Sequence, residues 1–148
     1  MWEHARDWAQ IAPGFTPLVA LFAVVIAWRQ LALNRINQRE TTAKTTFREF
    51  LKLAVEHPEL SAGNYEAVVA EGKLEQYEWF VGYFLWATEE LFEFAPLEAV
   101  WGGNLQLLAN YHAAYFNNSP DFMTEEFGTY SAKTQALITR ARASGAGN

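Results

Sequence analysis

The chain has 148 residues, 51% hydrophobic and 16% aromatic, with a mean hydropathy of only −0.11: material for one domain plus a membrane element, and too polar for several spans. The absence of cysteine excludes a disulfide framework, a thiol nucleophile and a Cys-ligated metal centre. The net charge of −6 is split unevenly: residues 29–52 carry six bases against two glutamates, a net +4, whereas residues 58–128 carry Lys73 against eleven glutamates and Asp121, a net −11. Nucleic-acid binding is therefore not expected of the second stretch, since phosphate neutralisation needs clustered Lys and Arg.

In chain order, the first element is an uncharged run from Trp8 to Trp28, densest from Pro17 onward. As a helix it reaches about 30 Å, the thickness of a bilayer core. Pro17 suits the first turn of a regular helix, with Trp8 to Thr16 entering as a looser segment. Trp2 and Trp8 on one side and Trp28 on the other fit the aromatic belts at membrane surfaces. A cleaved signal peptide fits less well: residues 3–7 mix Glu3, Arg6 and Asp7, and the run ends in Trp28-Arg29 rather than small residues. A buried soluble helix is the other alternative, though such helices rarely run this far without a charge. The excess of Lys and Arg after the run, against Arg6 before it, places the N-terminus outside and the domain in the cytoplasm. Ala23 and Ala27 give a small-xxx-small pair of the kind that lets two spans approach.

No Pro or Gly interrupts residues 29–56, so a basic neck helix is expected over 29–57. It carries an apolar stripe of Leu33, Ile36, Ala43, Phe47, Phe50, Leu51 and Ala54. Arg29 and Arg35 lie close enough to the span to meet lipid headgroups. An acidic helical bundle is expected over 58–143, with 144–148 as a disordered tail. Its parts are a short helix over Tyr65–Ala70, a strong helix over Lys73–Ala95, another over Leu97–Phe116, and a last one after the N-cap Ser131. The whole chain reads as all-α: a transmembrane helix continuing into a long neck helix, then a small helical bundle.

The helix over 73–95 has two apolar faces. Tyr77, Phe80, Val81, Phe84, Leu91 and Phe92 lie on one, Trp79, Tyr83, Trp86 and Phe94 on the other, with Glu75, Glu78, Gly82, Glu89 and Glu93 between them. A helix with two apolar faces is central in a bundle or covered by a partner. The second face is the candidate interface, because interface cores favour aromatic residues; ordinary core packing is the competing reading.

Chemistry-bearing motifs are sparse. Glu89, Glu90 and Glu93 with His112 make the best metal candidate, but neither helix holds the Glu-x-x-His pair typical of bundle metal sites. A solvated glutamate stripe and a satisfied core histidine explain the same residues. His57, ahead of Pro58, suits a helix C-terminus, and no nucleophile–His–acid set or phosphate loop can be named. No catalytic residue, metal or cofactor is expected.

The stretch from Ala23 to Arg39, with Thr45-Thr-Phe-Arg-Glu-Phe-Leu51 after it, resembles a group of uncharacterised bacterial single-span membrane proteins. In these an N-terminal span leads into an Arg/Lys-rich helix and a small helical domain, and some are described as phage abortive-infection proteins. The resemblance implies no catalytic residues. The expectation is a membrane-anchored, non-enzymatic interaction or scaffold protein that touches lipid and binds a protein partner or itself. The alternatives are a membrane-disturbing defence effector and an accessory subunit of a larger membrane complex.

Overall fold

The computed structural model describes residues 4–145; the side chains of residues 4–20 and of Ala95 lie outside the described set, as do Trp2 and the tail 146–148. The described residues are helical, with no strand among them. The chain divides into two compact units, Met1–Gln38 and Arg39–Asn148.

Helix α1 runs from His4 to Glu56. It begins well before the start expected at Pro17, so Pro13 and Pro17 sit inside it. Each removes one backbone hydrogen bond without ending the helix. Among the described residues no helix is long and apolar enough to cross a membrane. Much of the expected span, Trp8–Trp28, falls on residues whose side chains lie outside the described set. From Leu21 to Gln38 every side chain is exposed, including Phe22, Ile26, Trp28, Arg29, Arg35, and the Ala23 and Ala27 pair.

The second unit is a bundle. Burial on α1 begins at Ala43 and continues through Thr46, Phe47 and Phe50 at helical spacing. Of the expected stripe, the first residues, Leu33 and Ile36, stand bare ahead of this packed stretch, and beyond Ala43 only Leu51 is exposed instead of buried or half-buried. The helix stops at Glu56, because Pro58 cannot continue it and starts α2, Pro58–Ser61, at a first-turn position. Gly63 then turns the chain at φ +70°, and Asn64 caps α3, Tyr65–Ala70, by accepting the Ala67 N–H at 3.1 Å. Gly63 has a second reason to be glycine: a Cβ there would lie 1.8 Å from the Tyr111 carbonyl oxygen.

Helix α4, Leu74–Phe92, is the centre of the unit. Its inner face buries Tyr77, Phe80, Val81, Phe84, Leu85, Ala87, Thr88, Leu91 and Phe92. Phe50 of α1 packs between Phe80 and Phe84, each with ring centroids 5.3 Å away. Phe94 adopts an extended backbone, and α5, Ala95–Tyr111, starts with Pro96 in its first turn. Trp101 of α5 meets Phe47 edge-on at 5.4 Å.

A single helix over Leu97–Phe116 was the expectation; the structure breaks it at His112. There the backbone N–H bonds to Ala109 rather than one residue further back, tightening the turn before α6, Ala113–Asn118. At this turn the His112 imidazole is buried in the core and Tyr111 is exposed. After Ser119 comes one π-helical turn, Phe122–Glu126, and one 3₁₀ turn, Phe127–Thr129. Helix α7, Ala132–Gly145, closes the bundle against α5 and α6, with Leu137, Ile138 and Ala141 buried. Ser131 caps it, its hydroxyl accepting from the Thr134 N–H at 3.4 Å.

Candidate interaction groove

The outward face of α4 is built on a four-residue rhythm. Trp79, Tyr83 and Trp86 fall at i, i+4 and i+7, so their side chains line up along one edge of the helix. Trp79 is 76% exposed and Trp86 51%, in a unit whose other large aromatics are mostly packed inside. Tyr83 is half-buried. It stacks on Trp86, centroids 5.6 Å apart and planes 23° apart, and meets Phe50 edge-on at 6.3 Å. The Tyr83–Trp86 pair thus forms a flat aromatic platform anchored to the core through Phe50. Phe94 does not join it; it packs half-buried against the core at the start of α5.

These three rings line a groove of about 780 Å³, together with Gly82, Glu75 and Glu78 from α4 and Glu126 and Tyr130 from the turns before α7. A volume near 800 Å³ lies inside the range of ligand-binding pockets. A smaller hollow of about 310 Å³ lies on the other side of Trp79 and Tyr83, bordered by Leu53, His57 and Leu60, so Trp79 stands as a ridge between two depressions.

The groove is acidic. Glu75, Glu78 and Glu126 stand on its rim, no basic residue lines it, and none of the ion pairs among the described residues engages these three. Partial burial raises the Glu126 carboxyl above the usual carboxylate range, and the negative charges of Glu78, Glu125 and Asp121 add to it. Tyr130 is pushed up to about 12 by burial and then by the charges of Glu126 and Glu89. In both groups burial is the larger cause and the neighbouring negative charges the smaller, and a cation would relieve the second.

Gly82 sits on the groove wall, in the interior of α4. Glycine there costs about 1 kcal/mol relative to alanine. No neighbouring atom lies within 4 Å of where its Cβ would be, as is also true of Gly102 and Gly103 inside α5; Gly82 differs from them in lining the groove.

The candidate metal residues are not brought together. The Glu89 carboxylate accepts the Ser131 N–H at 2.6 Å and so ties α4 to the start of α7. Glu90 is half-buried, and Glu93 is exposed at the end of α4. His112 is 2% exposed, with its Nδ1 hydrogen-bonded to the Tyr77 hydroxyl at 2.7 Å and its ring 5.8 Å from those of Phe80 and Phe84. Burial lowers its pKa to about 4. Among the described residues no three His, Asp or Glu side chains are grouped to hold a metal ion. His57 faces Glu59 at 3.4 Å on the surface.

Sequence reasoning named the α4 side of the groove and missed the opposite wall. Glu126 and Tyr130 come from irregular turns, and no local pattern announces which way such turns carry their side chains. No protein-family model, no curated protein and no solved structure matches the chain.

Proposed function

We propose that this protein is a membrane-anchored, non-enzymatic interaction protein whose helical domain binds another polypeptide through the aromatic face of α4. The observation that carries the reading is the exposure of Trp79 and Trp86 beside the stacked Tyr83, in a groove large enough to take a partner. Trp and Tyr gather in the desolvated centres of interfaces, where each buries a large area. Anchoring is supported by the uncharged run Trp8–Trp28 and by the row of exposed Leu21, Phe22, Val24, Val25, Ile26 and Trp28. The basic residues that follow orient the domain toward the cytoplasm, with Arg29 and Arg35 at headgroup level.

The test is crosslinking and native mass analysis of the full-length protein taken from membranes in mild detergent, beside the Trp79→Ala/Trp86→Ala double variant. The reading expects a defined complex, homomeric or heteromeric, that the double variant loses. A complex that survives the double substitution, or a lone monomer in both samples, overturns it.

A further inference from the structure

We infer that the α4 groove receives an arginine-bearing stretch of a partner polypeptide, its guanidinium groups lying on the Tyr83–Trp86 platform and paired with Glu75, Glu78 and Glu126. The inference rests on the proposed interaction role and names the chemistry of the partner. Three independent features lead to it.

The first is charge. Three rim carboxylates have no basic partner among the described ion pairs, and the domain around them, residues 58–128, carries a net −11. An anionic or purely apolar occupant would bury these carboxylates without compensation, a large penalty. A cationic occupant turns the penalty into charge-assisted hydrogen bonds.

The second is the shape of the aromatic wall. Tyr83 and Trp86 are stacked with near-parallel planes, so the pair offers one flat aromatic face and not a ring-lined box. A flat, weakly hydrated guanidinium matches such a surface better than a compact, strongly hydrated ammonium. The lining also extends along α4 from Glu75 to Trp86, eleven residue steps or roughly 16 Å of helix axis at 1.5 Å per residue. That length accommodates a segment of about five extended residues and exceeds what a small cation would fill.

The third is Gly82. It forgoes about 1 kcal/mol of helix stability with no internal contact to justify it. On the groove wall, between the rim acids and the aromatic row, the missing side chain lets the occupant's backbone approach α4 closely.

The test is titration of the full-length protein in non-ionic detergent with a fluorescent nine-residue peptide of alternating arginine and alanine, read by anisotropy. The same peptide with glutamine for arginine, one with lysine for arginine, and a neutral peptide rich in leucine serve as comparisons. The expected order of affinity is arginine, then lysine, then glutamine, with at least tenfold between first and last. Gly82→Leu, which leaves every charge in place, is expected to weaken the arginine peptide at least tenfold, and Glu78→Gln/Glu126→Gln to weaken it at least fivefold. Circular dichroism checks that each variant is folded, and Gly82→Ala, which favours the helix, serves as the second variant should Gly82→Leu unfold.

Equal binding of the arginine and glutamine peptides overturns the inference. So does arginine binding that no Gly82 variant changes, which would mark diffuse attraction to an acidic surface. If the leucine peptide binds and Gly82→Leu abolishes it, the groove is an interface of a different chemistry: the interaction role stands and the cationic occupant falls. A homodimer broken by Gly82→Leu identifies a second copy as the occupant and likewise overturns the inference. If no peptide binds and membrane-extracted protein shows no complex, the interaction role itself falls.

Discussion

The buried pair Tyr77–His112 ties the stability of the domain to pH in a way that can be calculated. His112 is almost fully enclosed by Tyr77, Phe80 and Phe84, and burial lowers its pKa from 6.5 to about 4. The folded state therefore holds the imidazole neutral, while the unfolded chain protonates it near 6.5. This contribution to stability is fully present above pH 6.5. It is lost progressively as the pH falls toward 4, because the unfolded state takes up a proton that the folded state refuses. Over the interval from pH 7.5 to 4.5 the loss amounts to about 2–3 kcal/mol, most of it below pH 6.5, where the slope stays under the limit of about 1.4 kcal/mol per pH unit. His112→Phe removes the titration but strands the buried Tyr77 hydroxyl, at a cost of about 1–3 kcal/mol at every pH. Tyr77→Phe/His112→Phe removes both partners and recovers much of that cost. The assay is urea unfolding of the full chain in non-ionic detergent, followed by circular dichroism at half-unit pH steps, for wild type and the double variant. The stability difference between them is expected to change by about 2–3 kcal/mol across the window, in favour of the double variant at low pH. A difference that stays constant from pH 7.5 to 4.5 refutes the argument.

Four further outcomes are expected from the same measurements. Gly63→Ala places a Cβ 1.8 Å from the Tyr111 carbonyl oxygen at a φ of +70°, and is expected to lose about 3 kcal/mol or more in urea unfolding. Gly72→Ala, at φ +69° with open space around it, is expected to lose only about 1–2 kcal/mol, and equal losses at the two sites would contradict the contact at Gly63. Phe50→Ala empties the site between Phe80 and Phe84 and should cost about 3–5 kcal/mol, whereas Trp86→Ala should change stability by no more than about 1 kcal/mol. Glu126→Gln removes a carboxylate whose pKa is raised by burial and by Glu78, Glu125 and Asp121, with the buried Tyr115 and the half-buried Tyr130 also near it. Ionisation of that group disfavours the folded state, so the variant should raise the unfolding midpoint at pH 7 and lose the advantage at pH 3.5; a gain that is the same at both would refute the assignment.

The all-helical class, the short helix Tyr65–Ala70, the stop before Pro58 and the cap at Ser131 were legible because each rests on local chemistry: a proline, a capping side chain, a helical period. The break at His112 was not, because no Pro, Gly or cap marks it. The His112 imidazole there bonds the Tyr77 hydroxyl thirty-five positions away, a partner invisible to any local window. The groove divides along the same line. Its α4 wall follows from spacing alone, whereas Glu126 and Tyr130 reach it through a π turn and a 3₁₀ turn whose direction only tertiary packing decides.

Helix α4 separates two tasks by geometry. Its inner face is held by Phe50, Tyr77, Phe80, Phe84 and the His112 hydrogen bond, all buried, so the helix has its place in the bundle without help from outside. Its outer face, with Trp79, Trp86 and Gly82, contributes little to that packing: two large rings stand largely in water, and a glycine stands where alanine would stabilise the helix. Selection for stability alone would fill such positions with Lys, Glu, Gln or Ala, the better helix formers. Keeping Trp and Gly there runs against local propensity, and such conflicts concentrate at functional positions. The two faces are therefore expected to respond oppositely to substitution. Changes on the inner face unfold the domain and abolish binding together. Gly82→Ala on the outer face is expected to add about 0.5–1 kcal/mol of stability while reducing partner binding, a combination that a purely structural role for this face cannot produce.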